Sequence, residues 1–323
     1  MPSYSGVWTL TAQYQAIGSG NWTGLPTGLI MGGTSTGTDD LNSIDRITIT
    51  TTGNATSFGD LLAGTSSLNL SGVASSSRAI CGGGSAPSEV NVIQYATFST
   101  GGTTLDFGDL LAANRNAGAL SNSTRGLFFN GAQSQNVIQY ITIASLGNAT
   151  DFGDTTQGSF ATSGAGSSTR GVMMLGYNYG ASAASNTINY VTIASAGNAT
   201  DFGDATVSAY GRTSFSSDTR AIFSGGTVDG STYTNVMDYV TIASTGNATD
   251  FGDLIGSLGL NYIGGCSSNT RGIGAGGYNG LSRTFNISYV TIATAGNATT
   301  FGNLVGNVRR SEPSACSNCH GGL

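Results

Sequence analysis

Fifteen residues recur six times along this chain without a gap, and that periodicity limits what it can fold into more than any other feature. The copies are RITITTTGNATSFGD (46–60), YATFSTGGTTLDFGD (95–109), YITIASLGNATDFGD (140–154), YVTIASAGNATDFGD (190–204), YVTIASTGNATDFGD (239–253) and YVTIATAGNATTFGN (289–303), at a period of 45 to 50 residues. Upstream of each lies a second recurring piece: TGLIMGG (27–33), RAICGGG (78–84), RGLFFNG (125–131), RGVMMLG (170–176), RAIFSGG (220–226) and RGIGAGG (271–277). A repeat of this length is one supersecondary unit that buries its apolar faces only against its neighbours.

Each unit reads as strands. YVTIAS is rich in β-branched and aromatic residues with an apolar residue at every second position, GNA supplies a tight hairpin turn, and TDFGD returns. No 3.6-residue pattern between the units is long enough for a helix, so the fold class is all-β. Solenoid coils are shorter and need caps, so six units of this size predict a six-bladed β-propeller. The same logic divides the chain into an N-terminal arm or outer strand at 1–24, with Trp8 and Trp22, and a propeller at 25–323.

Only 9% of residues are charged, all 11 basic residues are arginine, and the net charge is −6. A phosphate backbone is therefore not an expected partner, because such affinity comes from clustered cations. The start MPSYSGVWTLTAQYQ lacks a basic and an apolar signal region, and no run of about 18 apolar residues occurs. We expect a soluble protein that does not use the usual export signal and does not span a membrane. The recurring Asn-Ala-Thr sequons, as at Asn148, then read as turn chemistry.

A strand ending in a glycine doublet, a variable loop and a strand entered through an aromatic, as in AIFSGG…NVMDYVTIAS, resembles the kelch-type propeller. The chain departs from kelch in carrying FGD where those blades carry Trp. The resemblance implies a ring closed by pairing of N- and C-terminal segments. Aligning ASSSRA (74–79) with CSNCHG (316–321) makes 304–323 the closing segment and puts His320 in an arginine slot that Thr27 holds in the first unit.

Several motifs invite chemistry. Cys316, Cys319 and His320 have the spacing of a c-type haem attachment site, but they fall in a repeat slot, and a zinc site would lack a fourth ligand. Neither cofactor nor metal is expected, with haem kept as a remote alternative. DFG at 106–108, 151–153, 201–203 and 250–252 recurs in four of the six units, with Phe-Gly in all six, in a chain without lysine, which excludes a kinase. Its Phe is expected between blades, and its Gly where backbones approach closely.

Asp60, Asp109, Asp154, Asp204 and Asp253 are followed 16 to 18 residues later by Arg78, Arg125, Arg170, Arg220 and Arg271, while Asn303 precedes His320. Joint loss of acid and base suggests either an Arg–carboxylate bridge or an Arg-to-backbone clasp. With two Glu and one His there is little for catalysis, and no enzyme is expected. A glycan-cleaving carboxylate pair would have to draw on Asp39, Asp40, Asp229 or Asp238, the acids the repeat leaves over.

The units differ in the loops after the glycine doublet. Tyr177, Asn178, Tyr179, Asp229, Tyr233, Tyr278 and Arg283 combine aromatic faces with amide, acid and guanidinium groups, which suits a saccharide or a protein partner. At the level of the whole repeat, YVTIASxGNATDFGD and the ending SNxHGGL resemble propeller-like repeats in virion and tail proteins of tailed bacteriophages, marine and cyanobacterial ones among them. That resemblance implies a structural protein of the virion exterior, present in multiple copies, contacting other virion and tail proteins and a host-surface glycan.

Overall fold

The computed structural model describes residues 25–323 except 38, 40, 63–67, 86–87, 133–134 and 257–258, so the arm at 1–24 lies outside the described residues. Those described form six four-stranded antiparallel sheets, one small three-stranded sheet and a single 3₁₀ turn at Val305–Asn307. The chain is all-β and propeller-like.

In one such sheet the order from the inside out is Ser163–Gly166, Arg170–Met174, Thr187–Thr192, Thr200–Asp204. The order follows from the repeat: the short Gly- and Ser-rich strand has no bulk and can sit where neighbouring sheets crowd together. The equivalent innermost strands are Ser71–Ala74, Gly118–Ser121, Thr213–Ser216, Gly264–Ser267 and Ser314–Ser317; with Ser163–Gly166 in its place between the second and third, each is in contact with the next and the last with the first. The apolar core splits accordingly into six clusters, each shared by two successive sheets.

The sheet holding the N-terminal strand takes its innermost strand from the other end of the chain. Thr27–Met31 pairs antiparallel with Ser314–Ser317 on one side and with Ser43–Thr48 on the other, and Thr56–Asp60 completes the sheet. Four strands are thus present without residues 1–24. The register corrects the sequence alignment by one residue. Gly28 faces Ser317 as Ala79 faces Ala74, so Ser317, not Cys316, matches Ala74, and His320 stands one position short of the arginine slot.

The FGD motif is a β-bulge. Ile138 faces Gly153 while Gln139 faces Asp151, leaving Phe152 as the extra residue, and the same shift recurs in every four-stranded sheet. The bulge drives the ring inward: Phe107, Phe152, Phe202, Phe251 and Phe301 are buried and meet a tyrosine of the same sheet edge to face at about 6 Å. Gly153, at φ 145°, lets the next sheet approach: a Cβ there would lie 2.5 Å from the backbone of Gly197.

GNA makes no two-residue hairpin. The link between Thr187–Thr192 and Thr200–Asp204 is longer, and its Gly-Asn-Ala segment docks on the preceding sheet. Gly197 and Ala199 donate their N–H groups to the carbonyls of Phe152 and Asp154 at 2.7 Å, and Asn198 Oδ1 accepts the Asp154 N–H at 3.0 Å. The backbone pair recurs at all six junctions, including Gly53 and Ala55 on Phe301 and Asn303. The Asn bond recurs at five, where Thr103 does not replace it.

Candidate functional site

The repeat arginines are clasps. Arg78, Arg125, Arg170, Arg220 and Arg271 each lie 4.6 to 5.0 Å over the ring of Tyr95, Tyr140, Tyr190, Tyr239 and Tyr289. Each also donates Nη1–H to a carbonyl of the following sheet, on Ile143, Ile193, Ile242, Ile292 and Ile49 at 2.8 to 3.2 Å. Among the described residues none of them pairs with Asp60, Asp109, Asp154, Asp204 or Asp253; the three ion pairs are Arg115–Glu89, Arg212–Asp238 and Arg310–Asp45. The Arg–carboxylate bridge is therefore corrected to the backbone form. Those aspartates lie on the outermost strand, whereas each guanidinium is taken up by a tyrosine of its own sheet and a carbonyl of the next.

Acid and base do travel together elsewhere. The third strand carries one polar residue per sheet at a matching position: Asp45, Gln94, Gln139, Asn189 and Asp238 are buried, and Ser288 is half-buried. Gln94, Gln139 and Asn189 accept the N–H groups of Leu62, Leu111 and Thr156. Where an aspartate stands there, a buried arginine answers it, Arg212 at 2.7 Å from Asp238 and Arg310 at 3.4 Å from Asp45. Asp238, one of the four leftover acids, is thus neutralised inside the fold.

The other leftover acids shape loops. Asp39 accepts from the N–H groups of Ser35 and Thr36 and the hydroxyl of Thr34, and Asp229 from the N–H groups of Ser231 and Thr232. These donors outweigh burial and hold both carboxyls below the usual carboxylate range, so neither carries a proton near neutral pH for general-acid work. Asp40 lies outside the described residues.

Cys316, Cys319 and His320 lie in and just after Ser314–Ser317, the strand that pairs with Thr27–Met31. The Cys316 thiol is buried with Leu29, Ala79 and Cys81, while Cys319 packs against a different cluster with Ile30 and Cys266. The two thiols a haem would need thus belong to different apolar clusters. His320 Nδ1 accepts the Gly322 N–H at 3.1 Å, which leaves the proton on Nε2, 3.1 Å from the Ala74 carbonyl and 3.2 Å from Ser121 Oγ. Its ring joins two sheets other than its own, and burial pushes its pKa down.

The loop candidates come together at the end of the sheets opposite His320. Tyr177 and Tyr179 form a cluster with Phe160 and Tyr210 at centroid separations of 5.1 to 6.0 Å. Tyr233 meets Tyr278 edge to face at 5.9 Å, and Arg283 stacks over Tyr278 at 5.2 Å while bonding Ser311 Oγ. All of these rings are half-buried, and the hydroxyls of Tyr278 and Tyr233 donate to the carbonyls of Gly280 at 2.7 Å and Gly230 at 3.3 Å. Asn178 and Asp229 serve the loops instead: Asn178 bonds Gln157 and the Ala181 N–H. Phe160 and Tyr210 are additions that sequence reasoning missed, because they precede the innermost strand and lie outside the variable loops.

A second feature of this end has no local sequence signal. Asn69, Asn116, Ala161, Gly211, Tyr262 and Glu312, one per sheet, all have φ between 51° and 67°. From Asn116 onward each donates its N–H to the carbonyl of the residue before it in this series, at 2.8 to 2.9 Å except 3.2 Å at Asn116. The belt holds Ala161, Tyr262 and Glu312 in a backbone region that costs such residues about 1 kcal/mol or more each. With Arg212 these residues surround a small cavity of about 90 Å³. Burial raises the Glu312 pKa, partly offset by Arg283 and a hydrogen bond with Asn69.

No helix among the described residues is long and apolar enough to cross a membrane, and no group of three or more His, Cys, Asp or Glu there could hold a metal ion. No protein-family model matches the chain, and no curated protein matches it significantly.

Proposed function

We propose that the chain is a six-bladed, kelch-like propeller whose N- and C-terminal strands close the ring, and that it is a non-enzymatic binding and assembly module. The observation that carries this reading is the tyrosine wall of Phe160, Tyr177, Tyr179, Tyr210, Tyr233 and Tyr278, mounted on clasped sheets at one mouth of the ring. Half-buried aromatic rings offer a sugar a stacking platform, and their phenol oxygens offer hydrogen-bonding groups, at little conformational cost. The buried or loop-capped state of Asp39, Asp229 and Asp238 supports binding over cleavage.

The repeat's resemblance to phage virion and tail proteins supports a location on a virion exterior, on the tail or fibre apparatus, in multiple copies. Weak contacts to a host-surface glycan or a neighbouring tail subunit then gain avidity from copy number. Mass spectrometry of density-banded particles tests the location: the chain should co-sediment with capsid protein and DNA, and its absence would demote the virion reading. A glycan array with the Tyr177→Ala/Tyr179→Ala variant tests the surface: binding should fall at least tenfold with the thermal midpoint unchanged, and equal binding would overturn it.

A further inference from the structure

One of the six junctions lacks its clasp. In the first sheet Thr27 stands in the arginine position and Arg46 in the tyrosine position, so neither the stacked pair nor the bond to the next sheet can form. Thr27 Oγ1 instead donates to the Leu25 carbonyl at 2.7 Å. The Phe98 carbonyl, which corresponds to the clasped carbonyl of Ile143, accepts no hydrogen bond among those of the described residues.

The space left by the missing pair is a cavity of about 720 Å³, lined in part by Thr27, Arg46, Thr51, Ser77, Phe98 and Asn318. That size is within the range of small-molecule sites. Of the 11 arginine side chains, ten have a hydrogen bond, an ion pair or a ring contact among the described residues, and that of Arg46, exposed in this cavity, has none.

We propose that this unclasped junction is a binding site for a carboxylate-bearing sugar, a uronic or sialic acid unit. A free guanidinium recognises a planar carboxylate through paired N–H donors. The surrounding hydroxyls and amides, with the open Phe98 carbonyl, match a ring of sugar hydroxyls. One cation with no second base beside it suits a single negative charge better than a phosphate. The site is distinct from the tyrosine wall and does not rest on that reading.

The test is calorimetric titration of the full chain with N-acetylneuraminate and glucuronate, against glucose and inorganic phosphate. One of the acids should bind saturably and at least tenfold more tightly than glucose or phosphate. Arg46→Ala, a change at an exposed side chain, should weaken it at least tenfold. The double variant Thr27→Arg/Arg46→Tyr rebuilds the clasp of the other junctions, and should raise the thermal midpoint while abolishing binding. Tyr177→Ala/Tyr179→Ala should leave it unchanged, which separates this site from the loop face. Absence of saturable heat, equal affinity for phosphate, or retention of binding by Arg46→Ala would each overturn the assignment. So would binding that emerges only after residues 1–24 are removed, because the cavity would then belong to that segment.

Discussion

Removing one clasp measures how much each junction depends on it. Arg170 lies 4.6 Å over the Tyr190 ring and donates to the Ile242 carbonyl at 3.0 Å. A half-exposed cation–π contact contributes about 0.5–1 kcal/mol. A hydrogen bond from a charged donor contributes about 1.5–3 kcal/mol, of which partial solvent exposure leaves the lower end. Arg170→Ala should therefore destabilise the fold by about 2 kcal/mol. Arg170→Lys should recover no more than half, since an ammonium loses the planar stack. Urea unfolding reads this directly: the midpoint should fall while the slope, which reports exposed surface, stays constant. A double-mutant cycle with Tyr190→Leu should give a coupling of about 0.5–1 kcal/mol. A loss below about 0.5 kcal/mol for Arg170→Ala would refute the clasp as a stabilising element.

Further outcomes follow from other contacts. Gly153→Ala should cost at least about 2 kcal/mol by urea unfolding, because its Cβ would meet the Gly197 backbone at 2.5 Å with no flexible side chain to yield. Asp238→Ala alone should cost about 3–5 kcal/mol by leaving Arg212 buried without its partner. Arg212→Met/Asp238→Gln, which copies the Gln of two other sheets, should be far milder in the same assay. Ala161→Gly should stabilise by about 0.5–1 kcal/mol, since the belt needs a positive φ that alanine tolerates poorly. His320 is neutral when folded and its pKa is depressed by burial, so below about pH 6.5 the unfolded chain takes up its proton first. Its contribution is present above that pH and lost as pH falls towards the folded value; His320→Gln should flatten that part of the stability profile.

The phase of the repeat was legible in the sequence because strand alternation and turn residues are local signals. So were the burial of the DFG phenylalanines and the close approach at their glycines, since a residue repeated in every unit of a charge-poor chain has to serve the contact between units. The role of GNA was misplaced as hairpin chemistry: its Asn satisfies a donor of the neighbouring sheet, a partner 44 residues away at Asp154. The arginines were singled out correctly, but joint loss of Asp and Arg could not distinguish an ion pair from two separate contacts at one junction.

The sequence by itself marked three of the four strands of each sheet, because periodicity, β-branching and glycine placement act over a few residues. Only the tertiary structure decided what faces what. It matched Ser317 to Ala74, turned Cys316 and Cys319 into different clusters, set Asp238 against Arg212, gathered Tyr177, Tyr210, Tyr233 and Tyr278 at one end of the sheets, and left Arg46 beside an open cavity. These pairings join residues far apart in the chain, and the geometry of packed sheets fixes them where no local pattern reaches.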